Sequence, residues 1–218
     1  MKKRIFCLSL AVIILLSCSC SSAPKEELYN YEVTEEPFES MEVIGTSLNY
    51  KMHVNEQDLF EDSELVFIGM PLDTFTDGQV RYFNRDAKEV DKDSDEILYR
   101  YTVRDIKVIE MIKGDSTLET VRVADEAVVE EIQDGNKIIV GLPSDCSIAK
   151  KNVKYVYYLM PALPEEMDFY FCQYDGGLAN IDGLDERVNA SNWRLSETKA
   201  RFSEQFVKYD RSAELEAK

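Results

Sequence analysis

The sequence predicts a mainly β fold, a small bent antiparallel barrel with a short helix before it and a helix after it. Three observations carry this reading. Apolar runs of strand length recur along the chain, among them Leu65 to Gly69, Ile97 to Ile112 and Val153 to Met160, and they are rich in the β-branched and aromatic residues that suit a pleated surface. Four Asp-Gly pairs, at 77–78, 134–135, 175–176 and 182–183, punctuate the runs, as turns that need positive φ require. In the longest run Ile97, Tyr99, Tyr101 and Val103 alternate, then Ile106 and Val108 continue on the other parity. A parity switch without a turn predicts a β-bulge near Arg104-Asp105, bending one long strand around a barrel.

The first elements concern address more than fold. Lys2, Lys3 and Arg4 precede an apolar run from Ile5 to Leu16, the pattern of a secretory signal too short for a stable membrane span. Leu15-Leu16-Ser17-Cys18 resembles the lipobox of bacterial lipoproteins, which implies a signal peptide over 1–17, lipidation (palmitate) of Cys18 and anchoring to the cell membrane. Ordinary cleavage after Ser21-Ser22-Ala23 is the rival, disfavoured by Pro24; an uncleaved apolar helix is the third alternative. Removing 1–17 takes three of the 25 basic residues and none of the 42 acidic ones, so a formal charge of −17 becomes −20. Such a chain is held at an anionic membrane by acyl chains and not by charge. Residues 18–40 read as an acidic flexible tether, in which Lys25 stands alone against six glutamates.

The barrel domain is expected over 41–185. Asn55 caps a short helix through Phe60, Leu65 to Gly69 is a strand, and Asp77-Gly78 turns it into Gln79 to Phe83. The long strand follows, then Leu118 to Val123, a hairpin of Ala127–Ile132 with Lys137–Leu142, and Val153 to Met160. Phe169 to Tyr174 is expected to turn at Asp175-Gly176-Gly177 into Leu178 to Ile181. Residues 186–218 form a C-terminal helical segment, with Ser196 as cap and Leu195, Phe202, Phe206 and Tyr209 at helical spacing.

Glu64 to Gly69, Tyr99 to Gly114 with its ending Ile109-Glu110-Met111-Ile112-Lys113-Gly114, and Lys154 to Leu159 together resemble one pattern. It is similar to extracellular bacterial domains related to the netrin-like, OB-type barrel of tissue inhibitors of metalloproteinases, where an apolar strand ending in glycine precedes a long strand closing in Lys-Gly. Tyr170 to Asp182 resembles the later hairpin of the bacterial members. The resemblance implies an OB-like fold. In those inhibitors a free Cys-x-Cys chelates the target's zinc; here Cys18-Ser19-Cys20 would be the new start. Acylation of the amino group and the long stretch before the first strand both speak against inhibition by that route.

Composition narrows the chemistry. A charge of −17 excludes a phosphate-backbone binder, and a single histidine, His53, leaves any cysteine without an assembled base. Cys146 and Cys172 either form a disulfide, as an exported chain permits, or stand as separate thiols. Ser147-Ile148-Ala149-Lys150 and Ser196-Glu197-Thr198-Lys199 both match Ser-x-x-Lys, and neither has the partner motifs of penicillin-binding enzymes. Asp91 to Asp95 begins like an EF-hand loop but Glu96 stands where glycine is needed and Thr102 where glutamate is needed. No metal, cofactor or catalytic residue is assigned. His53 reads as a half-exposed strand residue. Tyr99, Tyr101, Tyr155 and Tyr157 are the candidate aromatics of a binding face, although most tyrosines of such strands belong to a core.

The expectation is a membrane-anchored, extracytoplasmic lipoprotein acting as a non-enzymatic binding or interaction module, with an envelope protein as a candidate partner. Its alternatives are a carboxylate-based hydrolase of cell-envelope material and a regulatory or inhibitory subunit of another envelope protein.

Overall fold

A computed structural model describes residues 36–44, 53–132, 135–141, 148–163, 167–173 and 176–213. The expected signal peptide, Cys18 and Cys146 lie outside them, and the described residues all belong to one compact unit, Val33–Lys218.

Eleven strands form in chain order among the described residues: β1 Glu42–Ile44, β2 Leu65–Pro71, β3 Gln79–Phe83, β4 Glu89–Val90, β5 Tyr99–Lys113, β6 Thr120–Asp125, β7 Val128–Glu131, β8 Lys137–Val140, β9 Tyr155–Pro161, β10 Tyr170–Cys172 and β11 Leu178–Asn180. β2 pairs with β5, β5 with β6, β6 with β10, β10 with β9, and β9 returns to β2. These five strands close a barrel. All of its seams are antiparallel except β6–β10, which is parallel and only two residue pairs long. This is the five-stranded Greek-key arrangement of an OB-like barrel. The fold is therefore the mainly β barrel that the sequence predicts, with its long strand, β5, shared by three neighbours.

The parity switch in β5 has a different cause from the one expected. Pairing with β6 runs without a slip from Thr102↔Asp125 to Lys107↔Thr120, so there is no bulge at Arg104-Asp105. Both faces of the strand are buried there. Ile106 and Val108 point into the barrel with Leu65, Phe67, Val121, Val123, Tyr155, Tyr157 and Leu159. Tyr101 and Val103 belong to a second core on the barrel's outside, with Phe83, Phe169 and Phe171. The register does shift, but opposite β2, where Val66↔Lys113 is followed by Phe67↔Met111 and Ile68↔Glu110 by Gly69↔Val108. Ile112 and Ile109 are the extra residues, and they bend β5 where it closes on β2.

Two expected turns also differ. β3 follows Gly78 but pairs with β5 and not with β2, because a single 3-10 turn at Phe75–Asp77 carries the chain across. Gly78 has φ −62°, so positive φ is not what it supplies. A Cβ there would stand 2.4 Å from the Thr102 methyl and 2.9 Å from Arg104 Cγ. Gly78→Ala is expected to cost about 1–3 kcal/mol through this overlap, measured as a lower urea midpoint at an unchanged slope. The second case is the Asp175-Gly176-Gly177 hairpin. β10 and β11 do not pair with each other; both lie on the same edge of β9, Cys172 against Leu159 and Leu178 against Tyr157. Between them Gly177 N–H donates to Gln173 O at 2.9 Å. The glycines thus serve an interruption in one edge strand.

Helix α1, Glu56–Asp62, forms where expected, with the Asn55 side chain accepting from Asp58 N–H. His53, just before it, is 4% exposed and not half-exposed; its Nε2 lies 3.2 Å from Asp62 Oδ2. The single C-terminal helix is instead three short ones, α2 Glu186–Ser191, α3 Leu195–Arg201 and α4 Ser203–Tyr209, and Ser196 is inside α3 and not its cap. The chain bends at Phe202, whose ring packs edge-on to Tyr158 at 6.2 Å. The bend lets Gln205, Lys208 and Tyr209 all donate to the Glu110 carboxylate on β5. α1 is tied to the same end of the barrel by Glu56, which accepts from Tyr158 Oη and Arg201 Nε at 2.5 Å each. No helix among the described residues is long and apolar enough to cross a membrane.

Candidate functional site

The outer face of the barrel around β5 brings buried and exposed rings together with charged side chains. Strand geometry places residues directly opposite each other on one face. Gln79, Arg81 and Phe83 of β3 stand opposite Val103, Tyr101 and Tyr99 of β5; Val103 stands opposite Ala124 of β6 and Ala124 opposite Phe171 of β10. Period-two alternation in three strands thus assembles a sheet of rings.

Tyr101 is the centre of it. Its ring centroid is 5.0 Å from Phe171, 5.6 Å from Phe83 and 5.8 Å from Phe169, all inclined. Tyr101 is 7% exposed, and burial pushes its phenol up. Tyr99 lies over it in parallel, 6.4 Å away with 6° between the planes, and presents its own ring at 43% exposure.

Arginines border these rings. The Arg81 guanidinium sits 5.3 Å above the Phe83 ring and 5.2 Å above Phe169. It holds Glu89 with two hydrogen bonds, Nε at 3.0 Å and Nη2 at 2.7 Å, and donates Nη1 to Asp168 Oδ1 at 2.5 Å. Arg122 of β6 donates to the other oxygen of Asp168. The hydrogen bond from Arg81 holds the Asp168 carboxyl below its ordinary range, and does the same to Glu89. Asp168, half-exposed, thus bridges β3 and β6 just before β10 begins. The face can bind a flat apolar or aromatic group on Tyr99 and a carboxylate in competition with Asp168.

The predicted site residues separate accordingly. Tyr99 and Tyr101 come together here, Tyr99 as surface and Tyr101 as its support. Tyr155 and Tyr157 are inside the barrel at 0% and 2% exposure and line no face. The parity of β9 sends them inward, where Tyr157 stacks on Phe67 at 5.3 Å and the Tyr155 hydroxyl donates to Asp185 and accepts from Lys150 N–H, each at 2.8 Å. Cys172 is half-buried against the interior core, its thiol donating to Gly177 O at 3.0 Å; Cys146 lies outside the described residues, as does Cys18. Asp91, Asp93 and Asp95 are exposed, and among the described residues no group of three or more acidic, histidine or cysteine side chains is placed to hold a metal ion. Arg81, Asp168, Phe169 and Phe171 carry the site with no local motif. The alternation of Arg81 with Phe83 and of Phe169 with Phe171 is the signal that points to them, once β3 and β10 are known to flank β5.

No protein-family model matches the chain, and no curated protein matches it.

Proposed function

We propose that this protein is a lipoprotein, anchored outside the cytoplasm through Cys18, whose barrel is a non-enzymatic binding module presenting the Tyr99 face to its ligand. The observation that carries the reading is the pair of parallel rings, one exposed and one buried beneath it, bordered by two arginines. A buried ring under an exposed one fixes the exposed ring as a rigid platform, so little side-chain entropy is lost on contact. The acidic groups support the same reading. Asp168, Glu89 and Glu110 are held ionised by arginine or lysine partners, whereas a general acid needs a raised carboxyl facing a cleft. Asp182 is raised, but it is 0% exposed and bonded within the fold.

The test uses cells expressing the full chain with a photo-crosslinking amino acid at position 99 or, as control, at position 207, which is 82% exposed on α4. A clickable palmitate analogue is expected to label the chain and to be lost in Cys18→Ala. A discrete crosslinked product is expected from position 99, absent from position 207 and diminished in Cys18→Ala. Palmitate labelling that survives Cys18→Ala overturns the anchor. Equal products from both positions, or none from 99, overturn the face.

A further inference from the structure

The chain enters its folded body through a seat with the character of a peptide groove, away from the Tyr99 face. Glu36 is 3% exposed, and its carboxylate accepts Lys151 N–H at 2.7 Å and Phe75 N–H at 3.4 Å. Pro37 starts a single 3-10 turn, Pro37–Ser40, in which Glu36 N–H donates to the Glu39 carboxylate at 3.2 Å and Glu39 N–H donates to Glu36 O at 3.1 Å. Phe38, 4% exposed, stands edge-on to Phe75 at 5.8 Å and packs with Ala127, Ile139 and Ile148. The Arg187 guanidinium covers its outer side, 5.2 Å from the ring. Glu39 takes the Lys150 ammonium at 2.7 Å, with Arg187 Nε at 3.7 Å.

The charged and ring contacts described above come from four consecutive residues, Glu-Pro-Phe-Glu, and Met41 packs against the same apolar cluster. They meet two backbone N–H groups, an apolar slot, the face of a guanidinium and an ammonium. Beyond them, among the described residues, comes β1, three residues paired in parallel with β8, and its Val43 and Ile44 are 51% and 49% exposed. A buried anionic anchor at one end and a short exposed strand at the other make an attachment that can be exchanged without opening the barrel. The seat is also a cationic and N–H-donating spot on a chain of formal charge −17, so it selects for acidic ligands among those with a ring to bury.

We propose that this seat recognises an acidic-proline-aromatic-acidic segment of a partner protein, and that the chain's own Glu36 to Glu39 closes it in cis. The class of ligand is read from the segment that fills the seat. Proline presets the turn and lowers the ordering cost, the ring fills the slot beside Phe75, and the two carboxylates meet the N–H pair and Lys150.

A fluorescein-labelled peptide with the sequence of residues 33–42, Val-Thr-Glu-Glu-Pro-Phe-Glu-Ser-Met-Glu, titrated into the detergent-solubilised full chain tests this. Binding to Phe38→Ala is expected to be at least about tenfold tighter than to wild type, because cis occupancy reduces the fraction of open seats. Glu36→Gln, which keeps the ring and so spares the core, is expected to move in the same direction by less. The peptide with alanine in place of its phenylalanine is expected not to bind. Equal affinity for the three chains overturns the proposal. So does no binding to either variant once its circular dichroism matches wild type. A full chain found as a dimer with this segment exchanged between copies also overturns it, since the ligand is then a second copy.

Discussion

Replacing Arg104 by alanine is expected to lower folding stability by about 2–4 kcal/mol, because it leaves the partly buried Asp125 carboxylate and the Ala149 carbonyl at the barrel wall without their donor. The guanidinium is 3% exposed and donates to Asp125 Oδ2 through Nε at 3.1 Å and Nη2 at 2.8 Å, and to Ala149 O through Nη1 at 2.8 Å. It also faces the Phe75 ring at 5.6 Å. Burial is the largest single influence and works against its charge, but the field and hydrogen bonds of Asp125, with Tyr157 and Glu36, together outweigh it and the net shift favours the charged form. The loss is that of an orphaned partner and not the net worth of the pair, so the double variant Arg104→Met with Asp125→Leu is expected to recover most of it. Tyr157→Phe provides the contrast in the same neighbourhood. Its hydroxyl is buried and has no hydrogen-bond partner among the described residues, so deleting it removes a desolvation penalty and breaks none of the described bonds; the expected change lies between about 0 and 1 kcal/mol of added stability. Urea unfolding followed by circular dichroism checks all three. An Arg104→Ala protein within about 1 kcal/mol of wild type would show that the water Asp125 already meets in part replaces the guanidinium.

What the sequence makes legible follows from period and length. Leu65 to Gly69, Gln79 to Phe83 and Val153 to Met160 are runs whose own composition decides their state, and each is a strand within a residue or two. The Asn55 cap is equally local. What fails is every inference that needs to know the neighbour. Tyr101 and Ile106 differ in parity because two different cores claim the two faces of β5, and a bulge is the simplest explanation only if one core is assumed. Cys172 and Leu178 flank a glycine pair that looks like a hairpin, yet β9 provides one edge for both. Glu36 and Phe38 sit in an acidic stretch whose composition reads as tether, and they become buried because Phe75, Lys150 and Lys151 converge from distant parts of the chain. The site is legible to the same extent. Tyr99 and Tyr101 are visible by alternation, whereas Arg81, Arg122 and Asp168 meet only after three strands are in register.

The second large effect is expected at Asp182, and its sign with pH distinguishes two accounts of the buried polar layer beneath α2. Asp182 is fully buried. Its Oδ2 accepts Lys154 N–H at 2.8 Å, and its Oδ1 accepts Asn180 Nδ2 at 2.8 Å and Leu184 N–H at 3.2 Å. Asp182→Asn puts an amide N–H against one of these donors whichever way it is turned, at an expected cost of about 1–3 kcal/mol. Desolvation raises the Asp182 carboxyl above its ordinary value, and the three donors and the Lys154 charge offset this in part. A group raised in the folded state stabilises fully below its unfolded pKa, and that contribution is lost as pH rises through the folded value. Asparagine does not titrate, so the stability gap between wild type and Asp182→Asn is expected to narrow from acidic to neutral pH. Glu39, Glu89, Glu110 and Asp168 are lowered and give the opposite slope, but they titrate in both proteins and cancel in the difference. A gap that widens with pH would mean that the three donors bind the carboxylate more strongly than burial disfavours it. The fold of β9, β11 and the loop into α2 would then favour the carboxylate at Asp182, whereas the narrowing gap means that burial disfavours its charge more than the donors favour it.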